Sequence, residues 1–283
     1  MQIHIIGASG RSGAALARAV RAAGHTVVPV VRSAARYAAT NQPESPKIAD
    51  LTDPAALKTA LQSAEAIVST AHARQIPAIL AASPPEVKRF IFLGSTRKFT
   101  AWPDAHGHGV LAGEAAFIAS NRPGVLLHPT MIYGAEGEDN VRRLASLLRY
   151  LPFVPLPKGG ISLVQPIYQD DVTACILAAL AIEWHAPHSI VIAGPEPVKY
   201  ADFVRAIAHA SGTKRIPKIL PLPAAALMAA ATITRLIPGF PKIGPDEIRR
   251  LCEDKAFDIT PMRATLGVTP RPLHEGLAQT FAP

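Results

Sequence analysis

The sequence is poor in cysteine, in aromatic residues and in unbroken apolar runs, and each shortage excludes a class of protein. Cys175 and Cys252 are the only cysteines in 283 residues. Both lie in apolar helical patterns, which excludes a disulfide scaffold and leads us to expect two buried free thiols. A bilayer span needs about 20 uninterrupted apolar residues. The longest candidate, PLPAAALMAAATITRLIPGFP from Pro221 to Pro241, is bounded by prolines and carries Arg235, so it reads as a packed helix and no transmembrane segment is expected. Aromatic residues make up only 6% of the chain, and few stand among its cations. The net charge of +8 is spread over scattered pairs such as Lys88–Arg89, Arg97–Lys98, Arg142–Arg143 and Arg249–Arg250. That is the pattern of solvated faces, not of a nucleic-acid surface. Internal repeats and low-complexity tracts are also lacking. The opening MQIHIIGASG runs directly into a strand and a glycine turn without a basic leader, so a cytoplasmic protein is expected.

What is present is an alternation of short β-branched runs with helical patterns, the signature of parallel βαβ units. QIHIIG, TVVPVVR, KIAD, EAIVST, RFIFLGS and GVLLHP read as six strands. Helices are expected from Ser12 to Ala23, after Asp53, and around Ala112 to Ser120. Right-handed crossovers leave the strand order 3-2-1-4-5-6. Beyond Pro129 prolines and short elements dominate, SIVIAG offers one more strand, and the remainder reads as short helices. The expected fold class is α/β: a doubly wound parallel sheet of Rossmann type with a small, mostly helical C-terminal lobe. Residues 1–130 and 165–195 would form the dinucleotide-binding part, and 131–164 with 196–283 the substrate-side lobe.

GASGRSG, residues 7 to 13, follows a strand and opens a helix. Gly7 permits the turn, Gly10 lets the backbone approach a pyrophosphate, and Gly13 lets helix and strand pack closely, with Ser9, Arg11 and Ser12 completing the loop. The dinucleotide is chosen at the end of strand two, where an NAD site usually has an acidic residue. Here Arg32 is followed by Ser33. Arg11 and Arg32 could both flank a 2′-phosphate, and one charge-assisted bond contributes about 1.5–3 kcal/mol, or tenfold and more in affinity. NADP(H) is therefore expected to be preferred over NAD(H).

With GASGRSG, IADLTD, RFIFLGST, HPTMIYG and QPIYQDDV in this order, the chain resembles an extended or atypical short-chain dehydrogenase/reductase of the NAD-dependent epimerase/dehydratase family. The resemblance implies that Asp50 and Leu51 touch the adenine, that Thr70 and Ala71 line the cofactor, and that Pro129 and Thr130 approach the nicotinamide. It leaves open a homodimer through helices of the sheet half. His128 stands where such proteins commonly have arginine. Counting back from Glu114, the family's catalytic tyrosine falls on His106 and its lysine on Val110, and Ala101 to Ser120 contains neither Tyr nor Lys.

A reaction would therefore need a non-standard proton donor. His106 and His108 are the candidates, expected on a loop edge because of the surrounding glycines, and Ser95 or Thr96 matches the family position for a hydroxyl that bonds the substrate carbonyl. Lys98 is expected to be solvated, Tyr133 to be structural, and Asp170 or Asp171 to cap a helix. Asp104, His106 and His108 lack a fourth partner, and no metal is expected. Three functions compete. The first is an NADPH-dependent oxidoreductase acting on a small carbonyl, quinone or enone. The second is a non-catalytic NADPH-binding sensor or assembly partner, and sugar-nucleotide epimerase or dehydratase chemistry ranks last.

Overall fold

The computed structural model describes residues 1–135, 139–234 and 244–282. In the first half, strands β1 (Gln2–Ile6), β2 (Thr26–Val31), β3 (Lys47–Ile48), β4 (Ala66–Ser69), β5 (Phe90–Leu93) and β6 (Gly124–Pro129) alternate with helices α1 (Arg11–Ala22), α2 (Ala34–Ala38), α3 (Pro54–Leu61), α4 (Ile76–Ala82) and α5 (Ala105–Ser120). Further on come β7 (Ile132–Tyr133), α6 (Asn140–Leu148), β8 (Phe153–Pro157), β9 (Leu163–Val164), β10 (Ile167–Tyr168), α7 (Gln169–Ala181) and β11 (Pro187–Ile192). The chain continues through β12 (Val198–Lys199), α8 (Tyr200–Ala210), β13 (Lys218–Leu222), α9 (Ala224–Thr234), α10 (Pro245–Arg250), α11 (Thr260–Leu266) and α12 (Leu273–Thr280).

The central sheet runs β11-β6-β5-β4-β1-β2-β3, with every pairing parallel. The expected six-strand order is present, and SIVIAG adds β11 beside β6. Helices cover both faces, so the middle strands read as continuous apolar runs, with all of β4 and β5 buried. One face packs Ile3, Ile5 and Val68 against Leu16, Val20 and Ile176, and the other packs Ile67 and Phe90 against Leu57, Ile79 and Phe117. Asp53 accepts from the N–H groups of Ala55 and Ala56 at 3.0 and 3.1 Å, with Pro54 at the first helical position, which fixes the start of α3.

Several expectations are corrected. Helix α5 starts at Ala105, seven residues before Ala112, because Asp104 caps it by accepting from Gly107 N at 2.8 Å. The glycines that suggested a loop serve close packing instead: a Cβ on Gly107 would lie 3.0 Å from Arg97 O, and one on Gly109 2.9 Å from the His72 ring. His106 and His108 thus stand in the first turn of a helix. Neither Asp170 nor Asp171 caps α7; the buried Asp171 accepts from Arg271 N and Nε, both at 3.0 Å, and ties the C-terminal segment to the sheet. Cys175 is buried, while Cys252 is half-buried. The segment Pro221–Pro241 divides into β13 and α9, and its residues 235–241 lie outside the described residues. Among the described residues no helix is long and apolar enough to cross a membrane.

Candidate functional site

A cavity of about 1140 Å³ opens along the carboxyl ends of β4, β5 and β6, and a second of about 510 Å³ lies over the glycine turn. Ser12 and Thr70 are common to both walls. This is where an open parallel sheet binds ligands, at the point where strand order reverses.

Gly7, Ser9, Gly10, Arg11, Ser12, Gly13 and Thr70 line the smaller cavity. Gly13 permits α1 to seat directly on the turn, since a Cβ there would lie 2.2 Å from Gly7 O. The N-cap of α1 is Gly10, which offers no side-chain acceptor. The first-turn amides of α1 are consequently available to an anion, with the helix dipole behind them. These features fit the pyrophosphate of a dinucleotide. Arg11 forms an ion pair with Asp139 across the mouth of this cavity, at 2.5 Å. Ser12 Oγ donates to Gln169 Oε1 at 3.1 Å, and Thr70 Oγ1 to Ile6 O at 3.2 Å, joining α1, α7 and β4 around the turn.

Arg32, Asp50 and Leu51 lie at the ends of β2 and β3, outside both cavities. Arg32 is exposed. Asp50 accepts from Thr52 N at 2.9 Å and Thr52 Oγ1 at 2.7 Å, and these bonds, helped by the Arg32 charge, hold its carboxyl below the usual carboxylate range.

Ala71, Ser95, Thr96, His106, Pro129 and Thr130 line the larger cavity, and so does Val110. The structure therefore brings the tyrosine and lysine positions, His106 and Val110, to one wall. Ser95 Oγ accepts from Arg97 N at 3.1 Å and keeps its own proton to donate, whereas Thr96 Oγ1 donates to Pro129 O at 3.3 Å. The hydroxyl of Thr130 is likewise committed, to Gln165 O. His108 is exposed and lines neither cavity.

Two side chains of this cavity were missed in the sequence. The ring of His72 meets that of His106 edge to face, with centroids 4.3 Å apart. Its Nδ1 accepts from Arg74 N at 3.1 Å, which assigns the proton to Nε2. Burial, then the mutual histidine charge, lowers the His72 pKa; burial, then Arg97, lowers that of His106. The second is Tyr200, which lines the cavity from the start of α8, while Tyr133 is buried against Tyr168. Residues between predicted elements, such as AHAR after EAIVST, carry no periodicity that would have marked His72.

Lys98 is also relocated. Its Nζ lies 2.6 and 2.7 Å from the two carboxylate oxygens of Glu114 and 3.2 Å from His128 Nε2. Ser189 Oγ donates to Glu114 Oε1 at 2.5 Å and lies 3.0 Å from His128 Nε2. This network, not a family-type arginine, surrounds His128, and it turns Lys98 away from the cavity. The bond from His128, followed by those from Lys98 and Ser189, outweighs burial and holds the Glu114 pKa down to about 2. Folding lowers this pKa, so the stabilisation is complete above the ordinary value of 4.5 and is lost as pH falls toward about 2. We expect Glu114→Gln to flatten this part of the acid limb in urea unfolding at a series of pH values. An unchanged acid limb would show that the network does not contribute.

Residues 7–118 match a family model described as NAD(P)H-binding. This segment is similar to NAD(P)H-binding domains. The whole fold is shared with UDP-glucose 4-epimerase from Thermotoga maritima, solved with UDP-glucose, at a TM-score of 0.77 and 16% identity over 99% of this chain and 97% of that one. UDP-glucuronic acid 4-epimerase from Bacillus cereus, solved with UDP-glucuronic acid and NAD, gives 0.74 and 19% over 99% and 98%. A short-chain dehydrogenase/reductase superfamily protein from Agrobacterium tumefaciens with bound NAD gives 0.73 and 18% over 100% and 96%. At these identities the likeness shows the fold, and it extends well beyond residues 7–118. No curated protein matches the sequence.

Proposed function

We propose that the protein is a cytoplasmic NADP(H)-dependent reductase of a small carbonyl, quinone or enone, with His106 as proton donor in place of a tyrosine. The observation that carries this reading is the placement of His106 in the cavity wall with Ser95, one helical turn before Val110. Bound NADPH would supply hydride; the protein's part is position and proton supply. The side chain of Ser95 retains a proton with which to orient a substrate oxygen, and His106 would deliver the one proton that must accompany the hydride. Arg32, with no acidic residue beside it in sequence, supports a preference for the 2′-phosphate.

A specific observation favours a second reading. Val110 is 1% exposed at the lysine position, and Lys98 is drawn to Glu114, so neither supplies the cation that would hold the nicotinamide ribose. A non-catalytic NADPH-binding sensor or assembly partner would have this arrangement. Epimerase or dehydratase chemistry is less well supported, because it starts from an ionised phenol. Burial raises the pKa of both Tyr133 and Tyr200.

The test is NADPH consumption, followed by its near-ultraviolet absorbance, across a panel of carbonyls, quinones and enones. Turnover of any member supports the reductase, and tight NADPH binding without turnover supports the sensor. In parallel, Arg32→Ala is expected to weaken NADPH by about tenfold or more and to leave NADH unchanged. Equal losses for both coenzymes in a fluorescence titration would remove the NADP preference.

A further inference from the structure

Beyond the first 43 residues, which also lack acids, the two longest stretches with no acidic residue are Asn140 to Gln169 and Phe203 to Pro245. They are far apart in sequence, yet β8 from the first and β13 from the second pair in parallel, with Phe153 opposite Lys218 and Pro155 opposite Leu220. Alternation along the ribbon turns Val154 and Leu156 into the core and leaves Phe153, Pro155, Lys218 and Leu220 exposed. Tyr150, 84% exposed, and Leu151 extend this apolar surface at one end, and Ile216 borders it on the other strand. Arg149, Lys214, Arg215 and Lys218 are interspersed and exposed. Among the described residues none of these four has an acidic partner. Asp202 and Asp246, which bound the second stretch, are engaged by Arg205 and Arg249. Beside β8 packs α9, an uncharged, mostly apolar helix on which Ala225, Ala226, Ala229 and Ala230 are exposed.

We propose that this face of the lobe, formed by β8, β13 and α9, docks on an anionic lipid bilayer. Exposed apolar and aromatic side chains suit the headgroup boundary, and unpaired cations among them suit a negatively charged leaflet. Charge decides against a second copy of this chain, since two such faces would set cation against cation. The association is peripheral, consistent with the short helices. Helix α6 joins the docking face to the cavity: Leu144 and Leu147 line the cavity, and the carboxyl end of the helix leads to Arg149 and Tyr150. The proposal does not depend on whether the protein catalyses a reduction.

The test is co-sedimentation of the full-length protein with vesicles of phosphatidylcholine alone and of phosphatidylcholine mixed with phosphatidylglycerol, over a range of salt. Binding is expected to the mixed vesicles only and to weaken as salt rises. The triple variant Lys214→Gln/Arg215→Gln/Lys218→Gln should bind on the order of 100-fold more weakly, at roughly fivefold per cation. Removing the same charge from the sheet half, with Lys47→Gln/Lys58→Gln/Lys88→Gln, should leave binding unchanged. Phe153→Ser should also weaken it. Equal loss in both triple variants would show a response to net charge alone and overturn the proposal, as would absence of binding to the mixed vesicles. A solution dimer dissociated by Phe153→Ser would overturn it too, by assigning the face to a second copy.

Discussion

Replacing His106 by alanine is expected to lower kcat for NADPH-dependent reduction by about 10²–10⁴-fold, the usual contribution of a general acid, and to leave NADPH affinity unchanged. The coenzyme phosphates would be held at the glycine turn, on the far side of Thr70 and Ser12, so loss of an imidazole in the larger cavity removes proton supply and not binding. Burial and the Arg97 charge push the His106 pKa below 6.5. Its charged, proton-donating form therefore accumulates only at acid pH, and kcat should fall as pH rises through a value under 6.5. A tyrosine donor would stay protonated through neutrality and give no such limb. Two controls sharpen the result. His108→Ala should have little effect, because that side chain is exposed on the same helix and reaches neither cavity. Tyr200→Phe tests the one phenol among the described residues of the cavity wall, and a loss of kcat there with none in His106→Ala would move the donor to Tyr200. The neighbouring His72 should act by position: with its ring edge to face against His106, His72→Ala would shift the pH limb and reduce kcat less severely.

Gly13→Ala is expected to disable the coenzyme site and destabilise the sheet half together. The added Cβ would lie 2.2 Å from Gly7 O, 2.8 Å from Gly7 C and 2.9 Å from Ala8 Cα. These are backbone atoms of the turn, so no rotamer change relieves the contact, and α1 must move away from β1. Overpacking of this kind costs about 1–3 kcal/mol, and a displaced helix end no longer aims its amides at the pyrophosphate. In urea unfolding the midpoint should fall, and NADPH should cease to raise the Tm, as expected when a ligand no longer favours the native state. Arg32→Ala, by contrast, should retain a Tm response to NADPH that is reduced and not abolished. A Gly13→Ala protein that still binds NADPH tightly would show that the phosphates lie elsewhere.

The two experiments probe the parts of the site that differed most in legibility. The glycine turn was readable because its signal is local: Gly7, Gly10 and Gly13 act through backbone geometry within one strand-turn-helix unit. Strand order was readable for a related reason, since buried parallel strands must be apolar along their length and their crossovers have one hand. The polar partners were not readable. Lys98 beside Arg97 looks solvated in sequence, yet it meets Glu114, 16 residues away, which is in turn bonded by Ser189, 75 residues further on. The glycines of HGHG looked like a loop because a helix tolerates them poorly, and their packing use appears only with Arg97 and His72 in place.

By itself, the sequence determined the sheet and the place of its glycine turn, because periodicity and backbone freedom are properties of contiguous residues. It also determined that a tyrosine and a lysine are missing from Ala101 to Ser120. Tertiary structure alone decided what surrounds those positions. It set His106 against His72, drew Lys98 out of the cavity, and joined two acid-free segments into one cationic, apolar face. Each of those outcomes depends on distances between residues remote in the chain, which no local pattern encodes.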